Sequence, residues 1–186
     1  MSRVTDTRER IVSAAEDVVI REGVGRLTLE SAAVEAGVSK GGVLYHFPTR
    51  AALVTAMVHR FVVSFDADLD HFGAYGGKPG DFTRAYLDAT VAASAPGDMR
   101  DRRLGSALIA GVAADPELLE PLRERYLDWQ TSLARDGMDP AIATAVRYAS
   151  DGIWLCDLFS LAPVGEHERQ AVGDRLRALI AQGCDQ

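Results

Sequence analysis

Apolar positions along this chain recur at intervals of three and four rather than two, the mark of helices that each bury one face. Between Asp6 and Glu22, Ile11, Ala14, Ala15, Val18 and Val19 fall on one stripe, with Arg8, Glu9, Glu16 and Asp17 opposite. Asp6 followed by Glu9 reads as a capping-box start, and Gly23 and Gly25 mark the stop. A short second helix is predicted over Leu29–Ala36, with Thr28 as N-cap and Gly37 just past its end. A third starts after Ser39 and breaks before Pro48. Thr49 caps a fourth, which continues through Leu53, Met57 and Phe61 toward Leu69. Four glycines and a proline in the eight residues Gly73–Gly80 make that segment a loop. Beyond it the pattern predicts helices at about Asp81–Ser94, Arg102–Ala113, Glu117–Arg135, Pro140–Leu161 and Glu166–Gln182. Nothing alternates like a strand, and no segment repeats. The fold class is all-α, with about nine helices.

Residues 28–48 carry the spacing of a helix-turn-helix. Such a unit needs a small residue where its helices cross, and Ala33 serves; the sharp turn needs a residue that tolerates positive φ, and Gly37 stands four positions later. Val43, six positions after the glycine, pins the second helix from beneath. Ser39 caps that helix, beside N–H groups suited to a phosphate oxygen.

The formal net charge of −7 argues against a polyanionic partner until its distribution is considered. Residues 1–60 carry a net +1 and residues 61–186 a net −8. From Ala36 to Phe65 there is no acidic residue, whereas Lys40, Arg50, Arg60, His46 and His59 all fall there. A basic end on an acidic protein lets that end alone approach DNA. No apolar run approaches the roughly 18 residues that cross a bilayer, so no membrane partner is expected. Cys156 and Cys184 lack CxxC spacing and suit a reducing cytoplasm. No metal-ligand spacing, P-loop, dinucleotide fingerprint or nucleophile–base set is present, so neither cofactor nor catalytic residue is assigned and the chain does not read as an enzyme.

Thr28-Leu29, Ala33, the run from Ala36 through Ser39-Lys40-Gly41-Gly42-Val43-Leu44-Tyr45-His46-Phe47-Pro48-Thr49-Arg50, and then Leu53 resemble the DNA-binding region of the tetracycline-repressor (TetR-type) family of transcriptional regulators. The resemblance is specific over about residues 8–60 and architectural beyond. It implies a helix-turn-helix DNA-binding domain at residues 1–50 and a helical ligand-binding and dimerisation domain at 51–186, entered through the long fourth helix. It also implies a homodimer, formed through the last two helices, that places two recognition helices in successive major grooves of a palindromic operator in double-stranded DNA. Thr28, Ser39, Tyr45, His46 and Arg50 match family positions that contact phosphates; Lys40, Gly41, Gly42, Leu44 and Tyr45 match the part that faces bases. Gly42 replaces the family's usual Thr, Ala or Ser, Leu44 a usual aromatic, and Arg50 a usual lysine. The two glycines offer no side chain to a base, so close backbone approach is expected there. Lys40 is expected to donate to guanine, Leu44 and Tyr45 to meet a thymine methyl, and Arg3 to reach a minor groove.

The remaining helices are expected to supply dimerisation and a cavity for a small molecule of unknown identity. Ala141–Leu161 is apolar on nearly every face, as a helix covered from two sides should be. Candidate cavity residues are Phe61, Phe65, Tyr86, Met99, Trp129, Tyr148, Trp154 and Asp157. At about 1.5 Å per residue the fourth helix is a lever on the order of 30 Å long between operator and ligand. The sequence thus reads as a ligand-released repressor. Its rival is a helical ligand-binding or scaffold protein whose DNA-reading end has degenerated, for which Gly42 and Leu44 speak.

Overall fold

The computed structural model describes residues 3–93, 99–112 and 116–184. Among them the chain forms nine α-helices and no strand: α1 (Arg3–Glu22), α2 (Leu29–Ala36), α3 (Lys40–His46), α4 (Arg50–His71), α5 (Asp81–Ala93), α6 (Met99–Val112), α7 (Glu120–Ala134), α8 (Pro140–Leu158) and α9 (Glu166–Cys184), with 3-10 turns at Val24–Arg26 and Pro116–Leu119. No described helix is long and apolar enough to cross a membrane.

The first helix begins a turn earlier than its predicted cap. Asp6 lies inside the first turn, where a carboxylate meets the positive end of the helix dipole. The Arg3 side chain, expected in a minor groove, lies outside the described residues. Two compact units result, and they are not consecutive in sequence: residues 1–62 with 99–123, and residues 63–98 with 124–186. The boundary expected at residue 50 therefore falls twelve residues later within α4, and α6 returns to the N-terminal unit. Burial explains the return, because Leu104 and Leu108 of α6 join one core with Ile11, Val18, Val43, Leu53 and Met57. It also explains why Glu16 is not on a solvated face. Its carboxylate is buried, with Arg60 Nε at 3.5 Å and Arg100 Nη2 at 3.7 Å. Arg100 of α6 also pairs with Asp17.

In the other unit α5, α8 and α9 pack around Tyr86, Leu87, Ala143, Val146, Leu176 and Ile180. Asp136 caps α5, accepting from the Phe82 N–H at 3.0 Å and the Thr83 N–H at 2.8 Å. Asp139 caps α8 by accepting from the Ala141 N–H at 2.8 Å, with Pro140 as first helical residue. Asp157 and Arg169, both buried, form an ion pair at 2.9 Å between α8 and α9.

Candidate functional site

Local chemistry shapes the segment between α2 and α4. Thr28 Oγ1 accepts from the Ser31 N–H at 2.9 Å while Ser31 Oγ accepts from the Thr28 N–H at 3.0 Å, a reciprocal cap that starts α2. Helix α2 ends at Gly37, whose φ of 63° and ψ of 37° are left-handed; nothing would crowd a Cβ there, so backbone conformation alone selects glycine. The turn lets Ser39 start α3 by accepting from the Gly42 N–H at 3.0 Å. Val43 and Phe47 are buried and hold α3 against the core, and the Arg8 guanidinium lies over the Phe47 ring. Thr49 then caps α4 through the Ala52 N–H at 3.0 Å.

The other face of α3 is presented to solvent. Leu44 is 43% exposed and Tyr45 78%, with the Tyr45 ring edge-on to His46. Lys40 points outward and meets the exposed Glu30 carboxylate at 3.6 Å, a pairing worth about 0–1 kcal/mol and readily exchanged for another anion. Gly41 and Gly42 fill the surface between them. A Cβ at Gly42 would lie 3.4 Å from Ser39 Oγ and 3.8 Å from Val38 Cβ, ordinary contacts, so the fold has room for side chains that the sequence omits. Arg50 departs from its expected place. Its half-buried guanidinium turns inward, with Nε donating to the Leu27 carbonyl at 3.0 Å and Nη2 to the Val24 carbonyl at 2.7 Å.

A second constellation lies in the other unit. Phe65 of α4 stands edge-on to Tyr86 at 5.3 Å and to Trp129 at 5.1 Å, and Tyr126 adds a fourth ring 5.0 Å from Trp129. Two carboxylates border these rings. Asp66 Oδ1 accepts from Trp129 Nε1 at 2.9 Å and from Arg125 Nε and Nη2 at 2.9 and 2.8 Å. Asp151 Oδ1 accepts from the Tyr86 hydroxyl at 2.7 Å and more weakly from that of Tyr126 at 3.4 Å. Gln130 Oε1 and Arg147 Nε are buried without a hydrogen-bond partner.

Burial raises the Asp151 carboxyl above the usual carboxylate range, and burial likewise pushes the Tyr126 hydroxyl up to about 12, so both phenols stay protonated donors. A carboxyl raised by burial favours folding while protonated and loses that contribution as pH rises through its folded-state range. Asp151→Asn is accordingly expected to gain stability relative to the parent near neutral pH, with the difference shrinking on acidification. Paired urea titrations at neutral and at acid pH check this; a difference that grows on acidification contradicts it.

Of the eight candidate cavity residues, the structure gathers Phe65, Tyr86 and Trp129. Phe61 packs instead against the core of the N-terminal unit, Tyr148 is 63% exposed beneath the Arg147 guanidinium, and Asp157 is engaged by Arg169. Trp154 is half-buried on α8. The Met99 side chain lies outside the described residues. Asp66, Arg125 and Asp151 escaped the sequence reading; for Asp151 the signal was available, a carboxylate inside a strongly apolar helix.

The family model for the tetracyclin repressor-like C-terminal domain matches residues 80–181. The chain belongs to the tetracycline-repressor family. A second model, that of bacterial regulatory proteins of the TetR family, matches residues 11–57, the segment from α1 into α4. Its sequence relatives include the transcriptional regulator TtgR of Pseudomonas putida, 42% identical over 53 residues, which are 28% of this chain and 25% of that one. The repressor BepR of Brucella suis is 34% identical over 59 residues, 32% of this chain and 28% of that one. The chain thus spans between a quarter and a half of the length of the curated relatives it matches. Solved TetR-family structures align far more widely. The member SCO1917 from Streptomyces coelicolor A3 has a TM-score of 0.75 at 27% identity, covering 91% of this chain and 97% of that one. The multidrug binding protein EbrR complexed with malachite green has a TM-score of 0.75 at 25% identity, covering 91% and 96%.

Proposed function

We propose that this TetR-family chain is a cytoplasmic, sequence-specific DNA-binding repressor that a small molecule releases from a palindromic operator. The presentation of α3 carries the reading. A buried Val43–Phe47 underside fixes the helix, while Lys40, Leu44 and Tyr45 project from it. A tyrosine 78% exposed beside two side-chain-free positions has no task inside the fold. It suits a thymine methyl, and Lys40 suits guanine O6 or N7.

A palindrome requires two copies, and α8 offers the surface. Tyr148, Leu155 and Phe159 are exposed on one stripe, with Gly152 between them, and Val172 is exposed on α9. An apolar stripe on α8 beside an exposed Val172 on α9 suits a four-helix interface with a second copy. The ring cluster of Phe65, Tyr86, Tyr126 and Trp129 suits a flat aromatic ligand, in keeping with the malachite green and ethidium bound by EbrR. Helix α4 contributes residues to both units and is the element able to carry the signal. A ligand shifts DNA affinity only by its differential affinity for the two arrangements, typically about 1–3 kcal/mol.

Mobility-shift titration against the promoter of the neighbouring gene, at about 50 and 200 mM salt, tests the reading. Specific binding with a steep salt dependence is expected. Lys40→Ala is expected to lose about 1–3 kcal/mol on the cognate duplex and to relax preference at one base pair. Equal weakening on every duplex would make Lys40 a phosphate contact instead, and feeble, salt-insensitive association of the parent would favour the scaffold reading.

A further inference from the structure

A carboxylate stands beside the base-facing lysine of α3. Leu29, the first residue of α2, packs against the core, and its neighbour Glu30 faces outward with a side chain 73% exposed. Gly37 then turns the chain, and Lys40, the first residue of α3, meets Glu30 at 3.6 Å with its own side chain 60% exposed. Among the described residues each is the other's one ion-pair partner. A lysine at the first position of a helix stands against the positive end of the dipole, and the first turn of α3 holds no acidic residue to offset it. From Ala36 to Phe65 the chain has no acidic residue at all, so the balancing carboxylate comes from α2. Gly41, exposed next to Lys40, adds no side chain that would screen the two groups from a groove.

An ammonium donor and a carboxylate acceptor held side by side match the edge of one base pair. In the major groove guanine offers O6 and N7 as acceptors, and its cytosine offers the N4 amino donor. O6 and N4 of one pair are hydrogen-bonded to each other at about 2.9 Å, and a protein hydrogen bond to either spans about the same distance. Lys40 Nζ and the Glu30 carboxylate, 3.6 Å apart, therefore close a four-atom ring with O6 and N4 without being drawn apart. A reversed pair turns the amino donor toward Lys40 and the carbonyl oxygen toward Glu30, so both contacts become repulsive. We propose that Glu30 is a specificity-determining residue. With Lys40 it forms a unit that reads the polarity of one G·C pair, Lys40 on the guanine and Glu30 on the cytosine N4 amino group. The inference rests on the DNA-binding reading above and adds to it a residue of α2, outside the recognition helix.

The probe is the duplex that the unaltered full-length chain selects from a random pool, and the pair of interest is the one at which Lys40→Ala relaxes preference. Fluorescence anisotropy measures affinity for three versions of it: G·C, the reversed C·G, and G·C with the cytosine methylated on N4. That methyl group keeps Watson–Crick pairing and replaces the hydrogen that faces the groove. For the unaltered chain, reversal and methylation are each expected to cost about tenfold or more. For Glu30→Ala, methylation is expected to cost less than about twofold, because the acceptor it blocks is gone. For Glu30→Gln, whose amide both donates and accepts, reversal is expected to cost about threefold or less. Circular dichroism melts confirm that both variants fold.

A methylation penalty that survives Glu30→Ala would overturn the proposal, as would a Lys40→Ala variant that relaxes no pair or relaxes one that is not G·C. Equal strengthening of Glu30→Ala on all three duplexes and on a scrambled one would overturn it too, since the carboxylate would then only repel phosphates. If the unaltered chain selects no duplex, the DNA-binding reading itself fails, and this inference with it.

Discussion

Asp66→Ala is expected to destabilise the chain by about 2–3 kcal/mol. One carboxylate oxygen serves three donors there, Arg125 Nε, Arg125 Nη2 and Trp129 Nε1. Removing it strips the acceptor from Arg125 Nε and Nη2, whose Nη1 keeps Asp128 at 3.1 Å, and from a buried indole N–H. The figure stays below that of a fully buried pair because water still reaches both partners of the bridge, whose side chains are 28% and 26% exposed. Asp66→Asn keeps an acceptor oxygen and should recover part of the loss. Urea unfolding followed by tryptophan fluorescence measures both. A loss below about 0.5 kcal/mol for alanine, the level of an ordinary surface change, would mean that Asp66 does not hold the ring cluster together.

The second large effect combines opposite signs in one variant. Gly42→Ala is expected to stabilise the free protein by up to about 1 kcal/mol, the helix-propensity difference between the two residues. Nothing in the fold opposes it, because the added Cβ meets Ser39 Oγ at 3.4 Å and Val38 Cβ at 3.8 Å. The same methyl group stands on a half-buried flank of α3 beside the exposed Gly41 and Tyr45, where the backbone is expected to approach the groove closely. Operator affinity should fall about tenfold, equivalent to about 1.4 kcal/mol. A thermal melt and an anisotropy titration on the same preparation check the pair. If the melt rises and the affinity stays, the missing side chains at 41 and 42 have nothing to do with DNA.

What was legible in the sequence was what local chemistry decides. The bounds of α2 and α3 follow from Thr28, Gly37 and Ser39, each acting on groups within a few residues. The buried faces of α1 and α3 follow from spacing alone. What escaped depends on partners far along the chain. Arg50 matches a phosphate-contacting position, and its hydrogen bonds to the carbonyls of Val24 and Leu27, 26 and 23 residues away, could not be read from the sequence. Glu16 has the position of a solvated residue and becomes buried when α6 returns to the N-terminal unit. The ring cluster joins Phe65, Tyr86 and Trp129 to Asp151 across separations that no periodicity reveals. Tyr148 and Trp154 are candidates as aromatic residues like the others, yet only packing shows that Tyr148 is 63% exposed and Trp154 half-buried.

Two copies of α3, held outward by Val43 and Phe47, are proposed to read one face of duplex DNA. Hydroxyl-radical footprinting of the selected duplex, with the mass of the complex measured on the same sample, tests it directly. A complex containing an even number of chains and two protected patches on one face, about 34–36 Å apart, is expected. A single chain per duplex, or uniform protection without a repeat, would contradict it.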